Sequence, residues 1–204
     1  MITILDYGLG NLLSIKNMLI KAGEKSIITS DKNDIENATK IILPGVGHFD
    51  YCMRQLRNAP FYHLLDEKVL KERVPILGVC VGCQMLMEKS EEGKESGLGW
   101  IQGEVVKFNS AKLPANYKVP HMGWSDITPK NNCALYDGIK EPRFYFVHSY
   151  HLSCRMESNI TATAEYGYQF PASVLKDNFM GVQFHPEKSH KFGMKLYQNF
   201  VNLY

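Results

Sequence analysis

The chain has 204 residues, 45% of them hydrophobic and 22% charged, with a net charge of +2. That is enough chain for one well-buried domain, and so small a charge makes no electrostatic case for nucleic acid or a membrane surface. No apolar run approaches the length that crosses a bilayer.

Residues 1–8 carry no basic stretch ahead of an apolar core, so they are expected to form a strand and not a signal peptide. The 5 cysteines are Cys52, Cys80, Cys83, Cys133 and Cys154. An odd number in a chain of this size is expected as free thiols in a reducing cytoplasm.

Short apolar runs alternate with amphipathic stretches through the first half. Residues 2–5 read as a buried strand. Residues 11–22 read as a helix with Leu12, Ile15, Leu19 and Ala22 on one face and Gly23 as its stop. Strands are expected at 25–29 and 41–43, the latter ending at Pro44. Helical stretches at 49–56 and 61–71 lead to a strand at 75–79 and a helix at 81–87. Strand and helix in alternation imply a parallel sheet with crossover helices.

The second half reads differently. Strands are expected at 100–108, 119–127, 144–152, 160–166, 172–175 and 180–184, the last ones forming antiparallel hairpins and meanders. A helix at 188–203 closes the chain, with Phe192, Leu196, Phe200 and Leu203 spaced for one face. With no internal repeat or linker, residues 1–204 form a single α/β domain.

The most informative segment runs from Pro75 to Leu86. A strand leads into Gly78-Val79-Cys80-Val81-Gly82 and then into a helix, the glycine–x–nucleophile–x–glycine pattern of a strand-to-helix elbow. Such a turn holds the central side chain above the sheet edge. The helix that follows would aim its N-terminal dipole at the sulfur and favour thiolate. Cys80 and Cys83 also spell Cys-x-x-Cys, a redox pair or half a zinc site. Zinc would need two further ligands, and His148 and His151, on one expected strand, would point to opposite faces.

A thiol nucleophile needs a base that takes and returns a proton, and imidazole suits this near neutral pH. His185-Pro186-Glu187 stands at the end of the last strand, with a carboxylate two residues on to orient the ring. Alone, the tripeptide would read as a helix-capping turn. Together with the elbow it makes a nucleophile, a base and an orienter.

This order of motifs resembles the class I (triad) glutamine amidotransferases over essentially the whole chain. The resemblance implies a single-domain, three-layer α/β fold, a mixed central sheet with helices on both faces and added antiparallel strands in the second half. It implies that Cys80 attacks the side-chain amide of glutamine, that ammonia leaves, and that water hydrolyses the thioester; it calls for no cofactor and no metal.

Attack on an amide creates an oxyanion that needs preorganised donors. The N–H of Val81, just after the nucleophile, is one. By resemblance the Pro44-Gly45-Val46-Gly47 loop supplies the second through Val46, after a peptide flip if the resting loop points elsewhere; a plain strand-ending turn is the alternative. The same pattern implies Gly47, Gln84, Glu92, Ser149 and Tyr150 as glutamine contacts. Glu92 suits the ammonium, although Glu91-Glu92-Gly93 also reads as a solvated loop. His148 is expected to be a packed histidine and not a second base.

The segments Asp6–Leu12, Pro44–Phe49, Pro120–Trp124 and Tyr145–Tyr150 are similar to the glutaminase subunits of imidazole glycerol phosphate synthases. That likeness implies a heterodimer with a (β/α)8-barrel cyclase in histidine biosynthesis. Asn11, Trp124 and Tyr145 would lie at the partner interface. Two features depart from it. Ser125 stands where that family has Asn, and Ser189–Lys195 resembles paralogues that supply ammonia for a nucleotide-linked surface sugar. The redox reading of Cys80 and Cys83 is the alternative of another class.

Overall fold

The computed structural model describes residues 1–130 and 133–204. The elements in chain order are β1 (Ile2–Leu5), α1 (Leu12–Lys21), β2 (Ser26–Thr29), α2 (Lys32–Glu36), β3 (Lys40–Gly45) and α3 (Phe49–Asn58). Then come α4 (Tyr62–Asp66), extended by a π turn at Glu67–Lys71, β4 (Ile76–Cys80), α5 (Val81–Met85), β5 (Lys89–Ser90) and β6 (Gly103–Lys107). The chain finishes with β7 (His121–Pro129), β8 (Arg143–His148), β9 (Tyr150–Cys154), β10 (Ile160–Tyr166), β11 (Tyr168–Lys176), β12 (Phe179–Val182) and α6 (His190–Leu203).

A nine-stranded sheet runs in the order β2-β1-β3-β4-β12-β11-β10-β7-β8. Its first five strands are parallel and the remaining pairs antiparallel. The fully buried runs Ile2–Leu5 and Ile76–Cys80 suit the parallel half, whose two faces are both covered. The step from β1 to β2 goes one way along the sheet, and the steps through β3 to β4 go the other. Right-handed crossovers therefore place α1 on one face and α2 to α4 on the opposite one. In agreement, α1 packs on α6, while α3 packs on α4 and α5.

A second sheet, β5-β6-β9, flanks the first. Here the expected strand at 144–152 is corrected. It breaks at Ser149 into β8 and β9, which belong to different sheets. The break also reorients the histidines: His148 and His151 do not face apart but both pack on Phe108, with ring centroids 5.2 and 4.8 Å from it. A helix not read from the sequence, α2, is capped by the Asp31 carboxylate, which accepts from the Asn33 N–H. In α6, Leu196 and Phe200 are buried as expected and Phe192 packs on the core, but Leu203 is exposed.

The antiparallel half curls until its edge strand meets the residues beyond β12. Tyr145 of β8 bridges to His185, whose N–H donates to the Tyr145 carbonyl at 2.9 Å. The ends of the parallel neighbours β3, β4 and β12 share one end of the sheet, and this closure brings β8 against them.

Candidate active site

Cys80 ends β4 with φ 55° and ψ −113° and caps α5. A positive φ at a non-glycine residue costs of order 1–3 kcal/mol and persists only where the surroundings impose it. The flanking glycines show how they do so. A methyl at Gly82 would overlap the Leu43 carbonyl oxygen, and one at Gly78 would sit 2.8 Å from the Cys83 Cα. The elbow is thus pressed against β3 and against its own helix, with no room for a Cβ at either glycine. Cys83 points elsewhere: it is fully buried, with its sulfur against Gly181 of β12, and it does not line the pocket above Cys80. That arrangement does not suit a redox pair. Because α5 is only five residues long, the helix dipole invoked from the sequence is short.

The stronger positive partner is His185. Its Nδ1 lies 2.7 Å from Oε1 of Glu187, both side chains being almost wholly buried. Nε2 is buried and makes no hydrogen bond within ordinary limits, but the Cys80 sulfur is near enough to act on it electrostatically. Burial by itself would lower the imidazole pKa. The Cys80 sulfur, followed by the Glu187 carboxylate, outweighs burial and pushes it up to about 10. The local backbone is clamped as well. Ser189 Oγ donates to the His185 carbonyl at 2.6 Å and accepts from the Tyr145 N–H at 3.0 Å.

A pocket of about 370 Å³ opens over these groups, lined among others by Val46, Gly47, Val81, Gln84, Glu92, Ser149 and Tyr150. Every residue expected at the oxyanion hole or against glutamine is therefore present in one cavity with Cys80 and His185. Glu92 is not a free loop carboxylate, since its Oε2 accepts from the Phe49 N–H at 2.7 Å. Gln84 is buried, and its amide nitrogen is 3.1 Å from both the Tyr150 carbonyl and Gln183 Oε1, so it braces the wall. The Val46 carbonyl accepts from the Cys52 thiol at 3.3 Å, and the side chain is 37% exposed. The strand end beneath it is pinned by Tyr7, whose hydroxyl donates to the Pro44 carbonyl.

Pro120, Val147, His148 and Lys188 also line the pocket, and none was singled out as a contact from the sequence. For Lys188 the signal was its place directly after Glu187; the others are delivered by the curl of β7 and β8. His148 is packed as expected, not exposed as a base. Among the described residues no group of three or more His, Cys, Asp or Glu side chains could hold a metal ion. Among the described residues no helix is long and apolar enough to cross a membrane.

Of the residues expected at an interface, Trp124 and Tyr145 face each other across β7 and β8, with ring centroids 6.2 Å apart. Trp124 is 36% exposed and stacks on His190 at 5.6 Å. Asn11 is exposed at the start of α1, where its side chain makes no capping bond.

Residues 3–203 match the family model described as glutamine amidotransferase class-I. The chain is 50% identical over 202 residues to the imidazole glycerol phosphate synthase subunit HisH 2 of Methanococcus maripaludis, covering 98% of each. It is 48% identical over 204 residues to the subunit HisH 2 of Pseudomonas aeruginosa, covering 100% of each. A like comparison with the subunit HisH of Leptospira interrogans gives 45% over 204 residues, again 100% of each. Among solved structures, a glutamine amidotransferase superposes with a TM-score of 0.75 at 18% identity, covering 99% of this chain and 97% of that one. PurLQS from Thermotoga maritima gives 0.71 at 20% identity, with coverage of 99% and 97%.

Proposed function

The chain belongs to the class I glutamine amidotransferases, and we propose that its glutamine hydrolysis runs through Cys80, His185 and Glu187 as the glutaminase half of an imidazole glycerol phosphate synthase. The observation that carries this reading is the strained Cys80 beside a buried His185, itself held by Glu187, at the floor of one pocket.

The steps follow from the groups present. The Cys80 sulfur attacks the amide carbon of glutamine and forms a C–S bond, and the electron pair moves to oxygen. N–H groups of Val81 and of the Val46 loop stabilise that oxyanion. His185 gives its proton to the amide nitrogen, the C–N bond breaks, and ammonia leaves a Cys80 thioester. Water then attacks the thioester with His185 as base, and glutamate departs as the thiolate re-forms. Glu187 keeps the imidazole oriented throughout. Glu92 faces the substrate ammonium, and Ser149 and Tyr150 face its carboxylate.

Ammonia released in bulk water would protonate and be lost, so it passes to a partner. In this proposal the partner is a (β/α)8-barrel cyclase docked over Asn11, Trp124 and Tyr145, in the cytoplasm. The acceptor is a phosphoribulosyl-formimino-aminoimidazole-carboxamide ribotide, and the products are imidazole glycerol phosphate and aminoimidazole carboxamide ribotide. The names of the relatives support this assignment.

The test is turnover by the complex with Cys80→Ala. Glutamine-dependent synthesis should fall at least a thousandfold, while synthesis from added ammonium stays intact. Loss of both activities, or of neither, contradicts the role given to Cys80. A second reading keeps the chemistry and changes the acceptor, and Ser125 in place of Asn favours it. Growth of a histidine-requiring strain lacking its own subunit separates the two: rescue supports the histidine pathway.

A further inference from the structure

Outside the triad, a line of polar side chains runs from the half-buried Ser125 to the buried His121 and His148, none of which takes part in the steps of hydrolysis. The register of β7 and β8 sets His121 directly opposite His148. His121 and Ser125, four residues apart on one strand, project from the same face. The contacts form a series. Ser125 Oγ is 2.9 Å from His121 Nε2, His121 Nδ1 is 3.1 Å from His148 Nε2, and His148 Nδ1 is 2.8 Å from the Tyr150 carbonyl oxygen.

The last contact fixes the direction of all the others. A carbonyl oxygen can only accept, so His148 Nδ1 carries a hydrogen. Burial lowers the pKa of His148 well below the ordinary range, and that of His121 to about 4, so both rings are neutral. Neutral His148 then has an unprotonated Nε2, to which His121 must donate from Nδ1. His121 Nε2 is left as an acceptor, and the Ser125 hydroxyl donates to it. Reversing the chain would put a nitrogen lone pair against the Tyr150 carbonyl. His121 cannot swing to escape, because its ring is stacked between Tyr166 at 4.1 Å and Phe146 at 4.9 Å.

The two ends lie in different places. Ser125 lines a second, polar cavity with Trp124, Asp126 and Arg143. The Tyr150 carbonyl belongs to the wall of the first pocket, and it also accepts from Gln84. We propose that Ser125 and His121 are positioning residues of the glutamine pocket, acting through His148 to hold the Tyr150 carbonyl and the wall that Gln84 braces. The chain touches no reacting atom. Its effect falls on how well the pocket is preformed for glutamine, and so on KM and not on kcat. The inference rests on the reading of that pocket as the glutamine site.

Two measurements on the full protein in complex with its synthase subunit test it. In glutamine hydrolysis, Ser125→Ala should raise KM about tenfold with kcat held within about twofold. His121→Phe, which keeps the stacking and removes both nitrogens, should do the same. The double variant should be no worse than either single one, because both break one chain. Ser125→Thr, which keeps the hydroxyl, should restore the wild-type KM. In the unsubstituted protein, nitrogen-15 spectra of the rings should show both His121 and His148 as Nδ1–H tautomers. An Nε2–H tautomer at either ring overturns the chain. A wild-type KM in both Ser125→Ala and His121→Phe overturns the positioning role whatever the tautomers. Cys80→Ala is the control: if it retains turnover, the pocket reading itself fails, whereas if it is inactive while KM is unmoved by the two variants, only the chain is wrong.

Discussion

The buried thiol of Cys52 lies 3.3 Å from the carbonyl oxygen of Val46 and donates to it. The bond ties the loop after β3, where an oxyanion donor is expected, to the first turn of α3. Burial pushes the Cys52 thiol up to about 12, so it keeps its proton at working pH. Removing the donor would release the Val46 peptide and make the loop less preorganised. Cys52→Ala should therefore lower kcat for glutamine hydrolysis several-fold with little change in KM, whereas Cys52→Ser should stay close to wild type. Steady-state kinetics of the complex decides this, and equal rates for the Ala and Ser variants would refute the tie.

The proton on His185 gives a pH signature. Against burial, the Cys80 sulfur and then Glu187 raise its pKa to about 10, above the ~6.5 of an unfolded histidine. A raised folded value means that the native state holds the proton more tightly. Its contribution to stability is fully present below about pH 6.5 and fades as pH climbs toward 10. Urea titrations across that window should show the wild type losing stability more steeply than Cys80→Ala, which lacks the largest raising influence. Parallel slopes would show that the Cys80–His185 pair is not coupled.

Much of this site was legible because its parts are local in sequence. Cys80 sits between two glycines, and His185 and Glu187 share a tripeptide, so each motif declares itself without knowledge of the fold. What escaped notice depends on tertiary placement. Residues 144–152 are continuously strand-forming, and only the capture of β9 by a second sheet breaks them at Ser149. That break turns His148 and His151 onto one aromatic ring, which period-two alternation cannot foresee. Helix α2 was missed because five residues with one buried side chain, Ile35, carry no readable periodicity. Pro120 and Val147 reach the pocket only through the closure of β8 on His185, whereas Lys188 arrives with its neighbour Glu187.

Packing at the elbow separates two glycines that look alike in the sequence. Gly82 has no space for a methyl, which would overlap the backbone oxygen of Leu43, and backbone cannot yield cheaply. Gly47 has φ +92° and nothing within 4 Å of an added Cβ. Gly82→Ala should therefore displace Cys80, abolish hydrolysis and destabilise the fold by several kcal/mol. Gly47→Ala should cost only backbone strain, about 1–2 kcal/mol. Thermal melts of the two variants should separate clearly in that order. Equal melting temperatures would mean that the elbow relaxes where the geometry says it cannot.

Ser189 joins the proposed base, His185, to the proposed interface. Its hydroxyl donates to the His185 carbonyl and accepts from the Tyr145 N–H, while the His185 N–H donates to the Tyr145 carbonyl. The backbone under the imidazole and the backbone under an aromatic ring beside Trp124 are thus one hydrogen-bonded unit. The Ser189 side chain is fully buried, so in Ser189→Ala the Tyr145 N–H loses its partner in a place closed to water. Such a loss costs about 1–3 kcal/mol. For a domain of this size each kcal/mol lowers Tm by about 2–4 °C. Slackening under His185 should reduce kcat about tenfold and leave KM for glutamine nearly unchanged, because the pocket wall at Ser149, Tyr150 and Glu92 does not hang on this serine. Tyr145→Phe keeps the backbone bonds and should retain kcat, which makes it the control for side-chain effects at the same place. A Ser189→Ala protein with wild-type kcat and a lowered Tm would show that the clamp supports the fold and plays no part in holding the base.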